Sequence, residues 1–577
     1  MPPTASHGAV DRIDRRLGFL FAAFLALLLL AAGRAAYLGL FRSAALSAAA
    51  NEQQVQRVTI PAVRGTITDR NGVALALSES ADEVIADPLL IADPHRAAAQ
   101  LAPLLGLDAR RVFAALTKSR TQYSPIADNV PTAAGSRIIK LGINGISLKP
   151  VERRIYPRDT AAAQVLGWVG AGGAGSGGLE YEFNHKLAGV GGLRRVVTDP
   201  YGQALEVDNV RRMQTGKTLR LTISAPLQAE VEQVLAGVGA QYRPVGATAI
   251  VANPQNGQIL ALGNWPAMNS NDVGATPFAA TENQAVGMSY EPGSTFKAIT
   301  VAGALQDGLV TPATTFDVPP DLAPYGHVIT DAEAHGYETL SVADILKVSS
   351  NIGADLIAQR MGQNNFGSWV NRFGFGRPTG VDLPGEQRGI VPPVSQYSGL
   401  SIYNLPFGQG LEVTPMQMVQ AYSAIADGGI LHRPEIVESV GGKAVRRPAG
   451  RRIISSQVAG ELRDMLRGVF GDGGTASGAQ IPGYDLAGKT GTANIAINGH
   501  YSNTEFVASF IGMVPASNPK LVVAVVVNRP QNAIYGGTVA APAFQKIVSW
   551  AVPYLGINPC PAPCPGSAQN PVTASHP

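Results

Sequence analysis

The run from Leu17 to Gly33 constrains this chain more than any other stretch. It is unbroken apolar sequence, seventeen residues long, preceded by a polar segment that carries Arg12, Arg15 and Arg16. Such a run predicts a membrane helix at the lower limit for spanning, with Arg34 able to snorkel and Ala35 to Phe41 able to extend it. The arginines ahead of it predict a cytoplasmic N-terminus, although Arg34 and Arg42 behind it weaken the asymmetry. A cleaved signal peptide competes with this reading, because the small residues Ser43-Ala44-Ala45-Leu46-Ser47-Ala48 follow. No second apolar run of this length occurs, and Val522 to Val527 is short enough to read as a buried strand.

At 577 residues the chain is too long for one core and predicts several domains. Charged residues make up only 15% and the net charge is +3, so nothing points to a nucleic-acid partner. The two cysteines, Cys560 and Cys564, lie in the tail, which excludes a disulfide framework for the body. They can pair in an oxidising compartment or stay free, and no histidine accompanies them to suggest a metal. From about Asn558 the tail has the prolines and small polar residues of a disordered segment.

Chemistry enters at Tyr290-Glu291-Pro292-Gly293-Ser294-Thr295-Phe296-Lys297. Pro292 and Gly293 suit a turn entering a helix, and apolar residues recur at helical spacing from Ser294 onward. Positions i and i+3 share a helix face, so Lys297 can stand beside the Ser294 hydroxyl. Serine needs an adjacent base to act as a nucleophile, and lysine can be that base only if burial or a nearby cation keeps it neutral. The free N–H groups of a helix start also favour negative charge on an oxygen. Alone, the tetrad equally fits an N-cap serine. Two later strings change its weight: Ser349-Ser350-Asn351, closing a helix that begins near Val342, and Lys489-Thr490-Gly491-Thr492 in a strand. Each of these alone reads as a helix cap, a turn or a surface strand.

In this order the three strings are the set found in penicillin-binding proteins and class A β-lactamases, with Ser350 where the middle residue is usually Asp. The chain resembles the penicillin-binding proteins, more narrowly the bitopic class B transpeptidases of the FtsI type, over roughly residues 55 to 550. The resemblance implies an α+β protein with a single N-terminal transmembrane helix, kept as an uncleaved anchor. An elongated, mainly-β pedestal domain would follow, then a penicillin-binding transpeptidase domain of the serine β-lactamase type, with an antiparallel sheet flanked by helices. The expected divisions are 1–16 cytoplasmic, 17–40 transmembrane, 51–220 pedestal of the dimerisation type, 221–553 transpeptidase and 558–577 disordered tail. By resemblance Ser294 is the nucleophile and Lys297 its base. Ser349 relays the proton, Asn351 orients Lys297 and contacts the donor amide, and Lys489 supplies positive charge. Thr490, Gly491 and Thr492 bind substrate, and the backbone N–H groups of Ser294 and Thr492 form the oxyanion hole.

Local strings support the domain reading. Arg64-Gly65-Thr66-Ile67-Thr68-Asp69-Arg70-Asn71-Gly72 predicts a hairpin around an Asn-Gly turn and resembles the opening of the pedestal. Arg154-Ile155-Tyr156-Pro157 and Gly178-Leu179-Glu180-Tyr181 resemble its later motifs, so Arg64, Asp69, Arg70 and Glu180 are expected in structural salt bridges. Glycines across 170–178 mark a flexible loop. The stretch 246–262 predicts the first hairpin of the transpeptidase sheet, mainly helical sequence is expected from Ser294 to about Ala426, and strands return from Ala487. Asn283-Gln284-Ala285 departs from the Asn-Arg-Ala of many relatives, so no role is carried to Gln284. The Glu-x-x-Leu-Asn string of class A β-lactamases is missing, which suits an acyl-enzyme that waits for an amine.

The expected activity is therefore a peptidoglycan DD-transpeptidase that cross-links stem peptides, binds penicillin covalently and works in septal synthesis during division. The catalytic domain would face outside the cell membrane. Alternatives are a DD-carboxypeptidase or β-lactamase of the same fold and a non-catalytic β-lactam sensor, for which the short segment before Leu17 leaves little room. The resemblance implies no metal or organic cofactor and no nucleic acid. The implied partners are stem peptides, β-lactams, a SEDS-family glycan polymerase and divisome proteins.

Overall fold

The computed structural model describes residues 7–43, 55–170, 172–198 and 204–560. They fall into two compact units, Met1–Ala62 with Val190–Gln214, and Val63–Gly189 with Thr215–Pro577. The first unit contains one long helix, His7–Phe41, whose stretch Arg15–Leu40 is long and apolar enough to cross a membrane. Side chains of that stretch such as Phe19 and Leu30 are largely exposed, an apolar surface of the kind that marks a membrane or protein contact. The short run in the sequence thus gains its length from the residues after Gly33. The same unit holds an antiparallel sheet of β1 (Val55–Ile60), β6 (Gly192–Thr198) and β7 (Ala204–Arg211), in the order β1-β6-β7.

In the second unit, a seven-stranded sheet joins β2 (Ile67–Thr68), β3 (Ala74–Ala86), β4 (Ser124–Pro131) and β5 (Ile146–Ile155) to β8 (Leu219–Leu221), β14 (Val437–Val440) and β15 (Lys443–Ala444). The Asn71-Gly72 turn forms as expected, with Asp69 Oδ1 accepting from the amides of Asn71 and Val73 at 2.8 Å each. Asp69 therefore caps its own turn instead of pairing with an arginine, and its other oxygen accepts from Ala225 N at 3.2 Å. Glu180 is fully buried and takes Arg64 Nε at 2.5 Å and Arg154 Nε at 2.7 Å, so the expected Arg64 pair gains a second cation. The glycines of 170–178 have a packing reason as well as a turn reason. A Cβ on Gly175 would lie 1.8 Å from the Glu180 carbonyl oxygen, a distance no side chain can occupy.

A five-stranded sheet runs β10-β9-β19-β18-β17, all antiparallel, with β9 (Gly246–Ala252), β10 (Ile259–Trp265), β17 (Ala487–Ile497), β18 (His500–Val514) and β19 (Leu521–Asn528). The apolar run of β19 is explained by its central place, since both faces are covered. Val523, Val525 and Val527 pack with Leu227 and Val231 of the Ala225–Tyr242 helix and with Phe544 of the Ala541–Tyr554 helix. Val522, Ala524 and Val526 face the opposite core, which holds Ile299 and Tyr422. Period two decides the split.

From Ser294 to about Ala426 the regular elements are mainly helices, as expected, but one small ribbon lies among them and a second follows. These are β11 (Thr315–Val318) with β12 (Glu338–Ser341), and β13 (Ile430–Leu431) with β16 (Arg451–Arg452). The tail departs from expectation at its start: Cys560 N donates to Gly483 O at 2.9 Å, so the first tail residues are docked. Residues 561–577 lie outside the described residues.

Candidate active site

Tyr290 is bridged to Val413, and the chain then turns through Pro292 and Gly293, whose φ of +54° is one that glycine adopts cheaply. Gly293–Phe296 is a 3-10 turn and the α-helix, Lys297–Gln306, begins at Lys297 itself. Ser294 therefore sits in the turn that precedes the helix, half-buried, one turn from Lys297. Buried bonds fix this turn from behind: Thr295 Oγ1 donates to Pro292 O and Tyr422 OH donates to Thr295 O, both at 2.7 Å. The Ser294 hydroxyl makes no hydrogen bond among the described contacts.

Lys297 is fully buried, and its amine points to the second motif. Nζ donates to Ser349 O at 2.5 Å, to Asn351 Oδ1 at 2.7 Å and to Ser349 Oγ at 3.3 Å. Burial pushes this amine down to about 7, against the pull of Asp331 and Asp355 toward the charged form. The condition set by the sequence, a lysine held near neutrality, is met through burial. Ser349 takes a left-handed conformation, φ +66°, at the end of the Val342–Val348 helix. A non-glycine residue there is strained by about 1 kcal/mol or more. The strain turns the chain sharply so that Ser350 can cap the Asn351–Met361 helix, accepting from Gly353 N at 2.8 Å.

The third motif lies on β17, the edge strand, which packs against the Ser294 turn. A Cβ on Gly491 would meet Pro292 O at 2.9 Å, and one on Gly293 would meet Thr492 O at 3.0 Å. Strand and turn are thus as close as two backbones come. Lys489 is fully buried, with Nζ donating to Thr490 O at 3.3 Å, and burial first and the Lys297 charge second push it well below the usual lysine range. The threonine hydroxyls are held by residues the motifs do not contain. Thr490 Oγ1 pairs with Thr475 Oγ1 at 2.7 Å, and Thr492 Oγ1 accepts from Gly536 N at 3.1 Å.

All the residues expected from sequence therefore converge, but several partners of the site were not foreseen. Asp331 Oδ1 accepts from Asn351 N at 2.5 Å and Ile352 N at 3.1 Å, and Asn351 Nδ2 donates to Thr330 O at 2.9 Å. Asp331 Oδ2 in turn meets His335 Nε2 at 3.1 Å. Glu291 Oε1 accepts from Gly410 N at 2.9 Å and Tyr501 OH at 3.0 Å, tying the nucleophile turn to the β17–β18 hairpin. No local periodicity marks these residues; only the sequence proximity of Glu291 to Ser294 was available as a signal. A separate cavity of about 600 Å³, lined by Ser289, Gly376, Arg388 and Glu412, contains none of the motif residues and is not where their chemistry lies. Among the described residues no group of three or more His, Cys, Asp or Glu side chains is placed to hold a metal ion.

Comparison with known proteins places both parts of the chain in one family. Residues 247–549 match the penicillin binding protein transpeptidase domain, and residues 59–221 match the penicillin-binding protein dimerisation domain. The chain is 32% identical to the peptidoglycan D,D-transpeptidase FtsI of Escherichia coli over 96% of its own length and 95% of that protein. It is 31% identical to the stage V sporulation protein D of Bacillus subtilis, over 95% of its length and 87% of that protein. Among solved structures, penicillin binding protein 3 of Mycobacterium tuberculosis in complex with ampicillin superposes with a TM-score of 0.69 at 28% identity, covering 88% of this chain and 98% of that one.

Proposed function

The chain belongs to the class B penicillin-binding proteins, and on that premise we propose that it is a membrane-anchored peptidoglycan DD-transpeptidase whose acyl-enzyme forms on Ser294. The observation that carries this reading is the buried Lys297 amine, held near neutrality and hydrogen-bonded to Ser349 and Asn351 one turn from Ser294. In the acylation step, Lys297 takes the Ser294 proton as Oγ attacks the carbonyl of the penultimate D-alanine. The tetrahedral oxyanion is received by the backbone N–H groups of Ser294 and Thr492, worth a few kcal/mol each. Ser349 passes the proton to the departing amine of terminal D-alanine. In the transfer step a neighbouring stem's amine gives its proton to Lys297 as it attacks the ester carbonyl, and the adduct collapses to the new amide as Ser294 Oγ leaves and takes that proton back from Lys297. Thr490, Gly491 and Thr492 would hold the donor's terminal carboxylate, with Lys489 behind them, and the same residues would receive the carboxylate of a β-lactam.

The anchor is assigned to residues 17–40, with 1–16 in the cytoplasm and both the 51–220 pedestal and the 221–553 transpeptidase domain outside the membrane. Similarity to FtsI favours septal use, and the anchor and pedestal would meet a SEDS-family polymerase and divisome proteins. The test is incubation of the detergent-solubilised full chain with a pentapeptide donor and an amine acceptor. Released D-alanine matched by cross-linked product is expected; D-alanine matched by hydrolysed tetrapeptide would make the protein a carboxypeptidase, and no release would leave only the sensor.

A further inference from the structure

The second motif is held from outside by the loop that precedes β12. Thr330 O accepts from Asn351 Nδ2 at 2.9 Å, which leaves the carboxamide oxygen of Asn351 to face Lys297 Nζ at 2.7 Å. Asp331 Oδ1 accepts from the amides of Asn351 and Ile352, so a carboxylate sits at the positive end of the 351–361 helix. What holds Asp331 in turn is His335. Its Nε2 lies 3.1 Å from Asp331 Oδ2 and its Nδ1 lies 2.7 Å from Gly336 O, and both side chains are largely buried. Among the described residues no lysine or arginine pairs with Asp331, so the ring is its ion-pair partner. The surroundings of that ring decide its charge. A carbonyl and a carboxylate oxygen can only accept, so each ring nitrogen must bring a hydrogen. Neutral imidazole carries one N–H and would set a lone pair against one of the two oxygens; the imidazolium satisfies both. Burial opposes that charge, yet the Gly336 carbonyl, Asp331 and Glu338 outweigh it and raise the ring above the ordinary histidine range. The other titratable groups at this cluster are Lys297 and Asp355, both of which respond to the Asp331 charge.

We propose that His335, as an imidazolium bridging Asp331 and the Gly336 carbonyl, is a positioning residue for the second motif: it fixes Asp331, Asp331 fixes the start of the 351–361 helix, and Asn351 is thereby aimed at Lys297. The inference rests on Ser294, Lys297 and Asn351 having the roles proposed above. Among the described contacts the ring meets none of the motif residues, so it acts through Asp331.

Two substitutions separate this role from the mere filling of space. His335→Gln sets an amide nitrogen where Nε2 stood and keeps a donor for Asp331, whereas His335→Asn reaches only as far as Nδ1 and serves Gly336 alone. Acylation of the full chain in detergent by benzylpenicillin, at about pH 7, should stay within about two-fold of the parent in the first and fall about five-fold or more in the second. In an Asp331→Ala background, His335→Asn should slow the reaction no further. Equal rates in the two variants, or a His335→Asn loss that persists without Asp331, overturns the proposal. Nitrogen NMR of the parent with labelled histidine rings gives a second readout. The His335 ring, assigned by its loss in His335→Gln, should carry two N–H groups at about pH 7, where an ordinary histidine is mostly neutral, and should lose one of them in Asp331→Ala. A neutral ring in the parent at that pH also overturns the proposal. A parent that holds the doubly protonated ring yet is never acylated strikes the reading of Ser294 instead.

Discussion

Gly491→Ala is the substitution that loads the joint between β17 and the nucleophile turn most directly. A Cβ there would lie 2.4 Å from Ser509 Oγ, 2.9 Å from Pro292 O and 2.9 Å from Thr295 Cγ2. The Ser509 hydroxyl can rotate away, whereas the Pro292 carbonyl belongs to the backbone that carries Ser294. Relief to ordinary contact asks the turn and the strand to part by roughly 0.5 to 1 Å. The turn has little room to roll toward the strand instead, because a Cβ built on Gly293 would lie only 3.0 Å from Thr492 O across the same joint. Since a displacement of about 1 Å in a reacting group costs about 100-fold, acylation by benzylpenicillin should fall roughly 10- to 100-fold. Overpacking should add about 1–3 kcal/mol of destabilisation, read as a Tm lower by a few degrees. Gly237→Ala is the control: it lies exposed in the 225–242 helix with nothing near a Cβ, so it should keep its rate and stabilise by about 0.5–1 kcal/mol. Fluorescent-penicillin labelling timed at limiting reagent measures both rates. If Gly491→Ala labelled within roughly three-fold of the parent at an unchanged Tm, the contact between turn and strand would not govern the reaction.

Acylation should rise about ten-fold between pH 6 and 8, because a Lys297 amine near 7 goes from mostly charged to mostly free over that range, and a flat profile measured at constant ionic strength would exclude it as the base. The same depressed value means that the unfolded chain binds the extra proton between about 7 and 10.4, so this group's contribution to stability rises with pH across that window. Lys297→Met should flatten that part of the Tm-against-pH curve. Glu180→Gln removes the carboxylate that pairs with both Arg64 and Arg154 and should cost about 3–5 kcal/mol, seen as early thermal unfolding and protease sensitivity. Lys149→Ala, which breaks a pair whose lysine is 59% exposed, should cost less than about 1 kcal/mol by the same assay. Asp331→Ala unties the amides of Asn351 and Ile352 and should slow acylation roughly 5- to 100-fold with the protein still folded by circular dichroism.

The three motifs were legible because their chemistry needs particular residue types in order, and the structure brings Ser294, Lys297, Ser349, Asn351 and Gly491 to one seam. The 246–262 hairpin and the β19 run were legible from period and turn residues. What stayed hidden depends on contacts between segments distant in sequence. Asp331 reaches Asn351 across twenty residues and Tyr501 reaches Glu291 across 210, and no local pattern records such a pairing. Arg154 stands in the sequence only as one member of a string, yet it completes the buried Glu180 cluster. The β11–β12 ribbon escaped because its four-residue strands are too short for a period to register. The glycines of 170–178 looked like a flexible loop because composition cannot distinguish a residue chosen for freedom from one chosen for close packing.

The measurement that bears most directly on the account is the intact mass of the full chain after exposure to benzylpenicillin, with Ser294→Ala beside it. A single stable adduct of the whole drug, lost in the variant, is the predicted result. An adduct that persists in Ser294→Ala, or no adduct on the parent, would contradict the assignment of Ser294 on which the reading of the site depends.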